Sequence, residues 1–170
     1  MDHEQPGSLK RDLAGALETA LATKELGRSL AARLLSVASG EPALLLLQGD
    51  LGAGKTCLVQ GLAEGLGILE PITSPTFALA QHYEGQLAGG PATRLIHLDL
   101  YRLEHPAAAD ELFAQEEEEA LAAAGEARVV LAVEWPERLS TQPAEAWRLL
   151  LEHRGAGRRA RWLAIPDAPA

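Results

Sequence analysis

A glycine-rich stretch that ends in a lysine and a threonine is the part of the sequence best suited to chemistry. The spacing G-x-x-x-x-G-K-S/T, typical of loops that bind nucleotide phosphates, is met by Gly49, Gly54, Lys55 and Thr56. Glycines let the backbone adopt conformations that a Cβ would forbid, so consecutive N–H groups can turn toward one anion. Lys55 would then reach the β- and γ-phosphates, and the Thr56 hydroxyl would bind magnesium. The pattern predicts a site for a nucleoside triphosphate with Mg²⁺.

The residues on either side of this motif are those that a phosphate-binding loop needs. Residues 44–47 are four consecutive leucines, which predict a strand buried on both faces in a parallel sheet. Leu58, Leu62 and Leu66 follow at helical spacing. The N-terminus of that helix would favour the same bound anion. The alternative, a glycine-rich turn without a ligand, is less well supported by so complete a pattern.

Two carboxylates follow apolar segments that have the character of buried strands. Asp99 comes after Leu95, Ile96 and Leu98, and Glu134 comes after the apolar run 129–133. Ligands of α/β sheets bind at the carboxyl ends of the strands, where the glycine-rich loop also lies. One acid would help to hold the metal through bound water and the other would orient the attacking water; the sequence does not decide which. A surface position for either acid is the alternative.

Residues near these acids have two interpretations each. Ser74 and Thr76 lie where a loop that senses a γ-phosphate would lie, or they flank a simple proline turn. Trp135 is either a packing residue or an aromatic ring that faces a partner. Arg102 would stabilise phosphate charge or form a surface ion pair.

The order of apolar and polar segments predicts one α/β domain. Helices are expected over residues 20–38, 55–66 and 106–124, with strands near 77–83, 94–102 and 129–133 and a closing pair at 147–152 and 161–165. Their alternation predicts a three-layer fold, of the P-loop NTPase type, with a mostly parallel central sheet. The chain of 170 residues is long enough for one core, so we expect a flexible extension over 1–12 and a single domain over 13–170. Residues 13–17 could form a short strand or a helical turn.

Composition limits the classes of function. The net charge of −9 argues against broad nucleic-acid binding by this chain alone. The one cysteine, Cys57, cannot form an internal disulfide; it is either a small buried side chain or a thiol whose pKa is lowered by the helix N-terminus. Neither a signal peptide nor an apolar run of membrane-spanning length is visible, so a cytoplasmic location is expected. The four glutamates at 116–119 predict a solvated helix face rather than an acidic docking patch.

Missing motifs narrow the choice of nucleotide. Asp99 is followed by Leu-Tyr-Arg and not by the glycine of an Asp-x-x-Gly segment, and no Asn/Thr-Lys-x-Asp base-reading segment is present. Guanine specificity therefore has no support, and ATP is the better expectation. Zinc-ligand spacing and the G-x-S-x-G pattern of serine hydrolases are also missing from the sequence.

Four segments taken together resemble one family. In chain order they are residues 49–56, 74–77, 97–103 and 134–137, the last two containing His-Leu-Asp-Leu-Tyr-Arg-Leu and Glu-Trp-Pro-Glu. This set is similar to the TsaE family, small bacterial ATPases of the tRNA threonylcarbamoyladenosine pathway. The resemblance covers about residues 19–139, with a weaker match near Gly157 and Arg158.

The resemblance implies an accessory ATPase and a set of site residues. Family members bind and slowly hydrolyse ATP in a complex with the TsaD and TsaB proteins, reach tRNA only through that complex, and do not transfer the threonylcarbamoyl group. By motif match, Thr56 and Glu134 would bind Mg²⁺, Thr23 would lie near the base, and Trp135 would lie near the nucleotide or the partner. Asp99, Lys55 and Glu134 would serve catalysis. The phosphates would be held by Asp50, Leu51, Gly52, Ala53, Gly54, Lys55 and Thr56.

Departures from the family and a competing function remain. Cys57 stands where the family commonly has a second threonine, and the glutamate run replaces a segment that often contains glycine, which puts partner contacts of that helix in doubt. A small-molecule kinase could use the same loop, with Arg158, Arg159 and Arg161 as a lid. A nucleotide-binding module without turnover is a third interpretation.

Overall fold

The computed structural model describes residues 16–74 and 79–166, and within them a seven-stranded sheet carries three helices. The helices are α1 (Ala20–Val37), α2 (Lys55–Gly65) and α3 (Pro106–Ala123). The strands are β1 (Ala16–Leu17), β2 (Ala43–Gln48), β3 (Ala80–Gln86), β4 (Ala92–Asp99), β5 (Arg128–Glu134), β6 (Trp147–Arg154) and β7 (Gly157–Ala164). A short 3-10 helix, Pro136–Arg138, follows β5.

The sheet has a parallel centre and antiparallel edges. Its order is β1-β7-β6-β2-β5-β4-β3. Strand β2 pairs in parallel with β5 and β6, and β4 pairs in parallel with β5. Strands β3, β7 and β1 add antiparallel ladders at the two sides. The predicted α/β fold with a mostly parallel central sheet is confirmed.

Helices cover both faces of this sheet, which explains the run of leucines in β2. Leu45 and Leu47 pack with buried residues of α1 and α2, whereas Leu46 packs in the core on the other face, with Phe113 of α3. All three leucines are fully buried. A strand covered on both sides has no solvent-facing position, so its side chains do not alternate between apolar and polar.

The three helices follow the sequence prediction closely, each ending one residue earlier than expected. Thr19 caps α1, its Oγ1 accepting a hydrogen bond of 3.1 Å from the Ala22 N–H, and Pro106 begins α3. The glutamate run of α3 departs from the prediction. Glu116 is buried, and the distance from its Oε2 to His82 Nε2 is 2.6 Å, while Glu118 is exposed.

The remaining predictions concern the two ends of the chain. Ala16–Leu17 is a strand, and the closing pair is a longer hairpin than expected, β6 with β7. Residues 1–15, 75–78 and 167–170 lie outside the described residues, so the boundaries 1–12 and 13–170 stay predictions. Among the described residues, no helix has the length and apolar character needed to cross a bilayer.

Two glycines bring the backbones of α1 and α2 into contact. A Cβ on Gly27 would lie 2.2 Å from the Leu58 carbonyl oxygen, and one on Gly61 would lie 1.9 Å from the Lys24 carbonyl oxygen. Real Cβ atoms do not approach backbone so closely, so both positions require glycine. Because α2 begins directly after the glycine-rich loop, this close crossing fixes the loop against α1.

We expect Gly61→Ala to lower the free energy of unfolding by about 1–3 kcal/mol, the typical cost of overpacking. The added methyl group would force α1 and α2 apart, and the better helix propensity of alanine returns only about 0.5–1 kcal/mol. Urea unfolding followed by circular dichroism measures the difference. Gly125→Ala is the control, because its Cβ would meet nothing within 4 Å. A Gly61→Ala midpoint equal to wild type would contradict the tight crossing.

Candidate functional site

The glycine-rich loop between β2 and α2 is held in place from two sides. Gly49 has φ 148°, and a Cβ on it would lie 2.3 Å from the Leu151 carbonyl oxygen of β6. Gly54, the N-cap of α2, has φ 103° in the left-handed region, and its Cβ would lie 3.4 Å from Thr23 Cγ2 of α1. Glycine is therefore required at both positions by backbone conformation, and at Gly49 also by space.

Lys55 is enclosed by this loop although it is a cation. Its side chain is 5% exposed, and its Nζ donates hydrogen bonds to the carbonyl oxygens of Gly49 and Asp50, the second at 2.9 Å. The same Nζ lies 4.6 Å from the centroid of the Trp135 ring, a cation–π contact. Burial lowers the pKa of Lys55, and the nearby carboxylates of Glu134, Glu137, Asp99 and Asp50 act in the opposite direction.

Thr56, Glu134 and His97 meet at the start of α2. Thr56 Oγ1 lies 3.3 and 3.2 Å from Oε1 and Oε2 of Glu134, and His97 Nε2 lies 2.6 Å from Oε2. Glu134 is 3% exposed and His97 is 0% exposed. His97 is not among the site residues predicted from the sequence. The available signal was its place two residues before Asp99, which puts both side chains on one face of β4.

Asp99 ends the strand beside the one that carries Glu134, and the two residues are register partners. Its Oδ1 accepts a hydrogen bond of 3.0 Å from the Tyr101 N–H. Burial raises the pKa of Asp99 and the charge of Glu134 adds to the rise, while the Tyr101 bond, His97 and Lys55 lower it. The structure thus brings both predicted carboxylates together at the carboxyl edge of the sheet, near Lys55.

Trp135 follows Glu134 in an unusual backbone conformation. Its φ of 59° and ψ of 49° are left-handed, which is rare for a large side chain and is found most often at functional sites. Its ring centroid lies 4.9 Å from that of Tyr101, and the Arg138 guanidinium carbon lies 6.0 Å from the Trp135 centroid. Ser140, just beyond, donates from its N–H and Oγ to Asp110 of α3, at 2.9 and 2.6 Å. These contacts hold the segment after β5 beside the cleft.

A cleft of about 410 Å³ joins most of the predicted site residues. That volume is in the range of small-molecule sites. Asp50 and Ala53 do not line it. The Asp50 carbonyl oxygen accepts a hydrogen bond from Lys55, and Ala53 is buried in the core. The predicted residues that line it are Thr23, Leu51, Gly52, Gly54, Lys55, Thr56, Ser74, Asp99, Glu134 and Trp135.

The far wall of the cleft comes from segments outside the residues predicted to bind ATP. Residues 17–20, at the β1–α1 junction, line it together with Gly157 and Arg158 of β7. Arg159 and Arg161 do not line it, so the three arginines do not converge there. Cys57 also lines the cleft, and burial raises the pKa of its thiol, so the interpretation as an activated thiol is wrong. Thr76 lies outside the described residues.

The described residues offer few ligands for a cation in the cleft. Among residues 16–74 and 79–166, no group of three or more His, Cys, Asp or Glu side chains comes together as a metal site. Thr56 Oγ1 and the Glu134 carboxylate are adjacent, which suits Mg²⁺, because this ion binds through one or two protein oxygens and takes water and phosphate for the rest. The donor set therefore fits magnesium bound together with a nucleotide.

Comparison with known proteins decides the family. A family model described as "Threonylcarbamoyl adenosine biosynthesis protein TsaE" matches residues 17–161. The chain belongs to the TsaE family. The described geometry covers almost all of the matched segment, with residues 75–78 excepted. The resemblance proposed from four short segments is confirmed.

Individual relatives agree with this assignment. A Nostoc protein is 43% identical over 68% of this chain, and a Synechocystis protein is 47% identical over 60% of it; both are named tRNA threonylcarbamoyladenosine biosynthesis protein TsaE. The alignments span 66% and 59% of those relatives' own lengths. The crystal structure of Bacillus subtilis YdiB superimposes with a TM-score of 0.58 at 27% identity, over 91% of this chain and 86% of YdiB. The TsaE-family chain therefore has the P-loop NTPase fold.

Replacing Asp99 by Asn is expected to raise thermal stability at neutral pH in the absence of nucleotide. Burial raises the pKa of Asp99 above its ordinary 3.8, so the folded state binds this proton more tightly than the unfolded chain does. The ionised carboxylate therefore destabilises the fold above its folded pKa, and this effect fades as the pH falls toward 3.8. Asparagine keeps an acceptor for the Tyr101 N–H and carries no charge.

The melting temperature measured across the acidic range tests this expectation. The advantage of Asp99→Asn should be greatest at neutral pH and should shrink on acidification. Glu118→Gln, the same change of charge on an exposed position of α3, is the matched control. Equal melting temperatures for wild type and Asp99→Asn at neutral pH would show that the carboxylate is not destabilising.

Proposed function

We propose that this TsaE-family chain binds ATP with Mg²⁺ in the cleft and hydrolyses it as an accessory subunit of tRNA threonylcarbamoyladenosine modification. Membership of a family that acts in this biosynthesis supports the pathway. The observation that carries the ATPase assignment is the meeting of Lys55, Thr56 and Glu134 at one edge of the sheet, where α2 begins. These are the groups that a triphosphate and its magnesium require.

The phosphates would be held by the loop and by the start of α2. Backbone N–H groups of residues 50–56 and the N-terminal end of the helix dipole favour anions there. Lys55 Nζ, now bonded to the carbonyls of Gly49 and Asp50, would exchange these neutral acceptors for phosphate oxygens. Phosphate oxygens carry negative charge and carbonyl oxygens do not, so the exchange adds Coulombic attraction to the ammonium group and favours the bound state.

Magnesium would be held by Thr56 and Glu134, and it would neutralise charge on the terminal phosphates. Asp99 is the carboxylate that we assign to the attacking water. Its orientation is fixed by the Tyr101 N–H, and burial raises its pKa, which makes it a better proton acceptor than an exposed aspartate. Lys55 and Glu134 would complete the catalytic set. Lys55 would contact the reacting phosphate directly, and Glu134 would act on it through the bound magnesium.

The nucleotide base would lie against the start of α1. Thr23 is buried beside Gly54, and residues 17–20 form the adjoining wall of the cleft. Adenine is the base proposed, since the Asp-containing segment that reads guanine is missing from the sequence. Trp135 lies over Lys55 and would be next to the phosphates.

Partners of the TsaD and TsaB type would approach the mouth of the cleft. Leu51 is 61% exposed and Tyr101 is 38% exposed, and both line the cleft, so an apolar rim is available for contact. The net charge of −9 is unfavourable for tRNA binding by this chain alone, so tRNA would be reached only through the complex, in the cytoplasm.

Lys55→Ala is expected to weaken ATP binding by about 1.5–3 kcal/mol, or roughly 10- to 150-fold, because a charge-assisted phosphate contact is lost. Isothermal titration calorimetry with ATP and Mg²⁺ measures the affinity. Arg94→Ala is the control, since Arg94 pairs with Glu84 in a surface ion pair on the other side of the sheet and does not line the cleft. Equal affinity of Lys55→Ala and wild type would contradict the assignment of the loop.

Phosphate release in the presence of TsaD-like and TsaB-like proteins tests the function itself. We expect ATP hydrolysis to depend on the partners and to fall about 10²–10⁴-fold in Asp99→Asn, the usual contribution of a positioned acid or base. If phosphate release with both partners present is no faster than the release measured without protein, the chain is not an ATPase in this complex. Transfer of the phosphoryl group to a metabolite would establish the kinase instead, and Arg158 is the only one of its three lid candidates that lines the cleft.

A further inference from the structure

His97 is a buried histidine beside the proposed metal ligand, and none of the site assignments above uses it. It lies in β4, is 0% exposed, and its Nε2 is 2.6 Å from Glu134 Oε2. Its register partner on β5 is Ala132. Ala132 lies two residues before Glu134 on β5, so the side chains of Ala132 and Glu134 lie on the same face of the strand. This pairing places a ring nitrogen against one particular oxygen of the carboxylate.

The two oxygens of Glu134 have different surroundings. Oε2 faces both His97 Nε2 and the Thr56 hydroxyl, at 2.6 and 3.2 Å. Oε1 has the Thr56 hydroxyl, at 3.3 Å, as its hydrogen-bond partner within the described part of the chain. The Thr56 hydroxyl lies almost equally far from both oxygens, so the His97 contact is what distinguishes them. With Oε2 held by His97, Oε1 is the carboxylate oxygen left beside Thr56 for another ligand.

The direction of the His97 hydrogen bond follows from its two ring nitrogens. Glu134 is an acceptor when ionised, so Nε2 must carry the proton that it donates. Nδ1 is buried and has no hydrogen-bond partner among the described residues. His97 is therefore placed as the hydrogen-bond donor to Glu134 through Nε2.

We propose that His97 is a positioning residue for the metal: it holds Glu134 Oε2 so that Oε1 faces the divalent cation beside Thr56. This inference rests on the proposed function, because it concerns the same nucleotide–magnesium site. Groups that form a hydrogen bond to a metal ligand and so orient it typically contribute 10- to 100-fold to metal affinity. The nucleotide itself is contacted by the loop and by Lys55, so its metal-free binding does not depend on His97.

The test compares two replacements of His97 that differ in hydrogen bonding. His97→Phe keeps a flat ring and removes the donor, while His97→Gln keeps an amide N–H that can reach Glu134. Metal affinity is measured by titrating Mn²⁺ into the full chain with ADP present and following free Mn²⁺ by electron paramagnetic resonance. ADP affinity is measured separately by calorimetry in EDTA. If His97→Phe does not fold, His97→Met replaces it, because an unbranched flexible side chain adapts to a buried site.

We expect His97→Phe to weaken Mn²⁺ binding in the ADP complex by about 10- to 100-fold. ADP affinity in EDTA should stay within about twofold of wild type, and His97→Gln should recover most of the Mn²⁺ affinity. A merely structural role would lower both affinities together, so an equal loss in EDTA would overturn the proposal. Wild-type Mn²⁺ affinity in His97→Phe, or no recovery in His97→Gln, would also overturn it.

The wild-type measurements separate this proposal from the one on which it rests. If the wild-type chain binds neither ADP in EDTA nor Mn²⁺ with ADP, the proposed nucleotide site itself is wrong. If wild type binds both and His97→Phe behaves identically, only the role of His97 is wrong.

Glu116, whose Oε2 pairs with His82, supplies a matched control. His82→Phe removes a second histidine–glutamate contact, whose residues do not line the cleft, and should leave Mn²⁺ binding unchanged.

Discussion

The buried carboxylate of Glu134 is the interaction on which the candidate site depends. It ends β5, and its oxygens lie within hydrogen-bond distance of Thr56 at the start of α2 and of His97 in β4. A carboxyl group in so enclosed a place is stable only when its oxygens have hydrogen-bond partners. Three segments far apart in the chain are therefore held together by the requirements of one side chain. These contacts join the start of the helix that carries Lys55 to the edge of the sheet.

Burial and charge oppose each other throughout this site. Burial lowers the pKa of Lys55 and raises that of Asp99, and the attraction between the lysine and the acids partly reverses both shifts. Trp135 adds a left-handed backbone conformation that a large side chain rarely adopts. Each of these features costs stability. Their concentration at one edge of the sheet is typical of a site shaped for a charged ligand rather than for stability alone.

The loop is held by close contacts of its glycines as well as by the hydrogen bonds of Lys55. Gly49 lies against the Leu151 carbonyl of β6, and Gly54 lies beside Thr23 of α1. Gly27 and Gly61 bring α1 and α2 together behind the loop. Because these contacts are with backbone atoms or with the buried Thr23 side chain, they leave little freedom for the loop to shift. A phosphate-binding loop gains from such rigidity, since its N–H groups are then already oriented toward an anion.

The sequence by itself determined the glycine-rich loop, the helices on either side of it and the buried strands β2 and β5. Each of these depends on residues close together in the chain, whose spacing is visible directly. It also placed Asp99 and Glu134 at the ends of strands, and the rule that parallel strands end at one edge brought them to the loop. The family followed from the same short segments.

Only the tertiary structure decided which distant segments complete the site. Residues 17–20 and Arg158 form the far wall because β7 lies between β1 and β6, an order that no local spacing reveals. The prediction of a solvated glutamate run was wrong for Glu116, which is buried against His82 of an edge strand. His97 gained its role for the same reason. Its partner lies 37 residues further along the chain, and long-range strand pairing, which spacing within a segment does not encode, brings the two together.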